Sequence, residues 1–154
     1  NIRINSSMAW VLNNHWGREI ARLSTGSDQM ISDNPASWYD LYWYRLYSMQ
    51  GVVEMQQLLE TAMVPEVFKA VKQPVLLLYY YKDADHQDEV VSVPAMLKMF
   101  SQLGTPDSLK MKKALPDAGD HAIGCHLRSG DVDGVMEALV LFGDSLLGKP
   151  IMKP

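Results

Sequence analysis

Apolar and polar positions divide the 154-residue chain into two parts of different grain. The pattern is sharper from residue 71 onward. Residues 74–81, Pro-Val-Leu-Leu-Leu-Tyr-Tyr-Tyr, form a continuous apolar run. That run is short for a helix and rich in strand formers, the pattern of a strand covered on both faces. Residues 82–89 read as a polar, acidic loop. Residues 90–103 fit a helix with Pro94 near its start and Gly104 at its end. Residues 109–115 predict a second strand, and Pro116-Asp117-Ala118-Gly119-Asp120 a loop. Residues 131–147 predict a final helix with Val132, Val135, Met136, Leu139, Val140 and Phe142 on its apolar face, stopped by Gly148-Lys149-Pro150.

Residues 1–70 are aromatic and Met-rich, with no pattern that predicts a strand. A helix is expected over 8–23, capped by Ser6 or Ser7, and another over 38–50, capped by Ser37. The second is aromatic on nearly every side, which predicts cover on more than one face. Shorter helices are expected over 52–63 and 65–71. The chain thus divides into a helical region, 1–70, and a β-α-β-α region, 71–154, in the α/β class.

A strand, a crossover helix and a second strand imply parallel neighbours. Two strands do not make a stable sheet, and their open edges invite pairing. The pattern therefore asks for further strands, from upstream polypeptide or from a second copy of the chain, and a homo-oligomer through unpaired strand edges is one expectation. The opening Asn1-Ile2-Arg3-Ile4-Asn5 is neither an initiator methionine nor a signal peptide. It reads as the start of a processed or truncated chain, with any targeting signal upstream.

Charge narrows the partners. A net charge of −4 and a pI near 5.5 leave no electrostatic footprint for nucleic acid. Lys112-Lys113 is the longest basic run and falls inside the second predicted strand. No stretch is long and apolar enough to predict a transmembrane segment. Cys125 is the only cysteine, so no internal disulfide is possible, and it reads as a small half-buried residue rather than a nucleophile.

Candidate chemistry lies where the predicted strands end, because functional residues of open parallel sheets gather outside the carboxyl ends of the strands. Asp83 follows the first strand and His121 follows the second. Adjacent parallel strands bring such residues together, and a histidine works as a base when a carboxylate fixes its tautomer and stabilises the imidazolium. Asp88 competes with Asp83 for that role and Asp85 does so more weakly; each carboxylate also fits a plain turn former. His86 and His126 read as surface residues. The run Asp83, Asp85, His86, Asp88, Glu89 lacks the glycine and closing glutamate of a calcium loop, and no two histidines stand at i, i+4. Neither a metal nor a cofactor is expected.

These residues carry a family resemblance. The Pro-led strand from Pro74 with an acid at Asp83, the loop Asp117-Ala118-Gly119-Asp120-His121 after the last strand, and the terminal helix over 131–147 together resemble the C-terminal part of an α/β-hydrolase, closest in character to esterase or dienelactone-hydrolase-like enzymes. Tyr80 stands where that family commonly has glycine. The order acid then histidine is the family's own. The resemblance implies a partial α/β-hydrolase fold with a helical cap over residues 1–70. It also implies a serine hydrolase of small-molecule esters or related acyl compounds, with catalytic Asp83 and His121. No Gly-x-Ser-x-Gly occurs in the sequence. The nucleophile and its oxyanion hole are therefore expected upstream, and this chain alone is expected to be inactive. The alternative expectation is a non-catalytic interaction or self-associating module built on a hydrolase remnant.

Overall fold

A computed structural model describes residues 39–148, residues 29–31 and Glu19. The helix expected over 8–23 lies outside the described residues but for Glu19, which is helical. The chain forms two compact units, Asn1–Val64 and Pro65–Pro154.

In the first unit, strand β1 (Gln29–Ile31) pairs antiparallel with β2 (Leu46–Ser48), Met30 opposite Tyr47. Helix α1 (Tyr39–Tyr42) is a single turn, and α2 (Met49–Ala62) follows β2 directly. This corrects two expectations, a strand-free first half and one helix over 38–50. The helix is interrupted because Leu46, Tyr47 and Ser48 take ladder pairing with β1. Ser48, extended at φ −74° and ψ 138°, then caps α2 by accepting the Gly51 N–H at 2.9 Å. The expected cover on the aromatic run is also corrected: Leu41, Tyr42 and Tyr44 are exposed, and among the described side chains of α2 only Val53 is fully buried.

The second unit contains α3 (Pro65–Ala70), β3 (Val75–Tyr79), α4 (Val93–Gln102), a 3-10 turn (Asp107–Leu109), β4 (Lys110–Ala114) and α5 (Val132–Leu147). The two strands are parallel, in register from Val75 opposite Lys110 to Tyr79 opposite Ala114. This is the mixed α/β arrangement expected of residues 71–148, in a small form. Side chains alternate across a strand, and the packing follows that period. Val75 and Leu77 meet Phe68, Phe100 and Leu103 from α3 and the α4 end. Leu78 and Tyr80 meet Leu115, Ala118 and Val135, the last of these from α5. Helices therefore cover both faces, which is why β3 reads as unbroken apolar sequence.

Helix α4 starts at Val93 rather than Val90, with Ser92 as its cap and Pro94 in the first turn. Residues 90–92 are used elsewhere: the N–H groups of Val90 and Val91 bind the Asp88 carboxylate. Helix α5 is capped by Asp131 and ends at Gly148, whose N–H returns to the Asp144 carbonyl at 3.0 Å.

The strands differ in edge character. β4 carries Lys110, Lys112 and Lys113, a pattern that blunts a sheet edge against further pairing. The ammonium groups of Lys110 and Lys112 lie over the Phe100 ring, 5.6 and 5.8 Å from its centre. β3 carries no charge, and among the described residues its other edge has no strand partner.

Gly104 closes α4 onto α3. Its N–H donates to the Phe68 carbonyl at 3.0 Å, and an added Cβ would stand 2.0 Å from the Lys69 carbonyl oxygen. Gly104→Ala is expected to destabilise the second unit by about 1–3 kcal/mol, measured as a lower urea midpoint with an unchanged m-value.

Candidate functional site

The two strands end side by side, at Tyr79 and Ala114, and the Leu115 N–H adds a further rung to the Tyr79 carbonyl at 2.9 Å. The loops that leave them run in parallel, so the site is made by what each loop does in its first ten residues or so.

The loop after β3 doubles back at once. Tyr81 bridges Gln87, the Lys82 N–H donates to the His86 carbonyl at 2.9 Å, and the Asp88 N–H donates to the Tyr80 carbonyl at 3.1 Å. Asp83 sits at the tip of this excursion. Its Oδ1 accepts the N–H groups of Asp85 and His86, at 3.0 and 2.8 Å, and faces His86 Nδ1 at 2.7 Å. The His86 hydrogen bond is the main reason its carboxyl lies below the ordinary 3.8. Asp83 is a turn former in solvent.

Asp88 is the carboxylate that the doubling-back returns to the strand end. Its side chain is 3% exposed. A buried carboxylate is costly unless its oxygens are satisfied, and these are. Oδ1 accepts the N–H groups of Val90 and Val91, at 2.9 and 2.8 Å, and Oδ2 lies 2.6 Å from His121 Nδ1. Burial pushes the Asp88 carboxyl up, but the His121 bond and the two backbone donors outweigh it, and its pKa falls below 3.8. An ionised carboxylate only accepts, so Nδ1 carries the proton and Nε2 of the neutral ring holds the free lone pair.

The structure therefore brings His121 to Asp88 and leaves Asp83 apart, at variance with the first-ranked expectation for the acid. A signal for this was present in the sequence. Asp83 is flanked by Lys82, Asp85 and His86, the surroundings of a solvated turn, whereas Asp88 precedes the apolar return Val90, Val91, Val93.

His121 is placed by the loop after β4. Leu115 and Ala118 are buried at 1% exposure and anchor the loop's first turn. Gly119 takes φ +69°, the left-handed region that favours glycine, and swings the chain toward the site. Asp120 accepts the Ala122 N–H at 2.8 Å and binds Arg128 through Nε at 2.9 Å and through Nη2. The His121 ring is 47% exposed, and among the described residues nothing hydrogen-bonds its Nε2. Beside it opens a cleft of about 190 Å³, lined in part by Tyr80, Gln87, Gly119 and Arg128. Among the described residues its lining contains no serine, threonine or cysteine.

Such an arrangement can accept a proton at Nε2 while Asp88 stabilises the resulting imidazolium. Among the described residues no cluster of His, Cys, Asp and Glu is set to hold a metal, and no helix is long and apolar enough to cross a membrane. The chain matches no protein-family model, no curated protein and no solved structure.

Below the ordinary carboxyl value of 3.8, the unfolded chain takes up a proton at Asp88 before the folded chain does. The stability contributed by the ionised group is thus present above that value and lost as pH falls through the lowered folded value. Asp88→Asn is expected to lower stability at about pH 7 by roughly 1–3 kcal/mol. It should also flatten the fall toward about pH 3. Asp83→Asn, at an exposed carboxyl that is also held below the ordinary value, should change both in the same direction but less. Urea unfolding of the three chains across this range checks it.

Proposed function

We propose that this chain carries the acid and histidine of a serine-hydrolase centre of α/β-hydrolase type, acting on an ester or related acyl bond. Asp88 is the orienting acid and His121 the base. The observation that carries the reading is the 2.6 Å contact between His121 Nδ1 and a buried carboxylate whose two oxygens both accept hydrogen bonds, with no partner for the ring's Nε2 among the described residues. Three further facts support it: the two groups follow successive parallel strands, acid before histidine; both leave the carboxyl ends of those strands; and a cleft opens beside the histidine.

In this reading the nucleophile is a serine on polypeptide outside this chain. Nε2 takes the hydroxyl proton as the serine oxygen attacks the acyl carbon. Asp88 holds the Nδ1–H and stabilises the imidazolium without itself taking the proton. The imidazolium then protonates the leaving alcohol, and the same base activates water for deacylation. Upstream strands would join β3 at its uncharged edge, since the lysines of β4 disfavour addition on that side.

In the complete protein, His121→Ala is expected to lower kcat by roughly 10⁴-fold or more, and Asp88→Asn by a comparable factor, with the fold retained. Asp83→Asn should leave kcat near that of the parent. Full activity in His121→Ala would overturn the reading.

One observation favours a second reading, a self-associating module. Among the described residues the far edge of β3 has no strand partner, and α5 exposes Met136, Leu139 and Leu141. Sedimentation of the 154-residue chain at micromolar concentration tests it: a dimer that Lys substitution at Leu139 dissolves supports association, and a compact monomer removes it.

A further inference from the structure

The loop from Ala118 to Gly130 carries the histidine, and it is pinned by two rungs. The outer rung is backbone: the Gly130 N–H donates to the Ala118 carbonyl at 2.9 Å. The inner rung lies two residues in from each side. Arg128 donates to Asp120 Oδ2 through Nε at 2.9 Å and through Nη2, with the side chains 28% and 20% exposed. The other Asp120 oxygen holds the Ala122 N–H, so both backbone neighbours of His121 are fixed by one carboxylate or belong to it. Beyond the inner rung the loop tip is stitched by turns, Ile123 to the His121 carbonyl and Arg128 and Ser129 to the Cys125 carbonyl.

A histidine half exposed and held by a single side-chain bond needs its backbone fixed. The Nδ1 to Asp88 bond spans two loops, and a shift of one ångström at the His121 Cα would break it. Its own loop offers the outer rung three residues away, with Gly119, the most permissive residue, between. The inner rung supplies the missing constraint. It is charge-assisted, and its two donors come from one planar guanidinium, a geometry lysine cannot reproduce. Arg128 also pairs with Asp120, the second carboxylate beside His121, while Asp88 holds the ring's Nδ1.

We infer that the Asp120–Arg128 pair is a positioning device for His121, holding the loop so that Nδ1 meets Asp88. This rests on the reading of Asp88 and His121 as an acid–base pair. Both residues border the cleft beside His121, and the pair acts on the histidine through the backbone that Asp120 holds.

Proton NMR of the 154-residue chain tests it, using the His121 Nδ1–H signal and its exchange with solvent. The wild-type chain should show a protected, hydrogen-bonded Nδ1 proton that Asp88→Asn abolishes. Asp120→Asn and Arg128→Met should each speed its exchange by about tenfold or more. The double variant should go no further than either single one, and Arg128→Lys should be intermediate. Amide protection of β3, β4 and α5 should be unchanged in Asp120→Asn, Arg128→Met and Arg128→Lys. A protected Nδ1 proton in the wild type that survives both single substitutions would overturn the inference while leaving the acid–base pair standing. Absence of that proton in the wild type would overturn the pair itself, and this inference with it. If both substitutions, and Arg128→Lys, instead remove amide protection from the strands, the ion pair holds the fold rather than the histidine, and the inference fails.

Discussion

Burial of the Asp88 carboxylate is the constraint on which the site depends. An ionised carboxylate at 3% exposure is tolerated only where donors come to it, and here they come from three directions. Val90 and Val91 supply theirs from the chain just beyond, which delays the start of α4 to Val93. His121 supplies the third from across the sheet end. One group therefore ties the loop after β3 to the loop after β4. It also fixes the tautomer of the ring, because an acceptor-only partner on Nδ1 leaves the lone pair at Nε2.

The sheet makes that meeting possible but does not by itself secure it. Parallel strands in register from Val75–Lys110 to Tyr79–Ala114 release their loops at the same end. Whether two side chains then meet depends on how each loop spends its length. The first loop folds back through the Tyr81–Gln87 bridge and returns Asp88 to the strand end. The second turns at Gly119 and is clamped between Asp120 and Arg128. Hydrophobic packing holds the platform beneath: Leu115, Ala118 and Val135 on one face, and Phe68, Phe100 and Leu103 on the other.

Elements with strong periodicity or clear punctuation were legible in the sequence. The apolar run became β3, the stretch over 109–115 became β4, and the stripe of residues 131–147 became α5 with its cap and its glycine stop. The strands at Gln29–Ile31 and Leu46–Ser48 were not legible, because three-residue strands carry too little alternation to register against an aromatic background. His121 was visible by its place after a strand. The choice of its partner was harder, since Asp83 and Asp88 have the same local chemistry: each binds the backbone N–H groups two and three residues on. What separates them in space is the reversal between Tyr81 and Gln87, which no glycine or proline announces, so the apolar residues after Asp88 were the one sign in the sequence. The Asp120–Arg128 pair was invisible for a related reason, as nothing in the spacing of two charges in a loop says that they touch.

The division of labour in the site follows from these constraints. The acid is buried and carries all its donors, so it is finished as it stands. Among the described residues the histidine is bound on one nitrogen and open on the other, beside a cleft lined by no serine, threonine or cysteine. On the proposed serine-hydrolase reading, a general base prepared in this way, before any nucleophile is present, is already rotationally fixed and in the right tautomer. A nucleophile arriving on the uncharged edge of β3 would need only to be placed. The cost of ordering the imidazole has by then been met by folding, through Asp88 and the loop that carries His121. This is the physical content of preorganisation at this site. It explains why so small a sheet holds an acid and a histidine in bonding contact, with the lysine-bearing strand on one side and an open strand on the other.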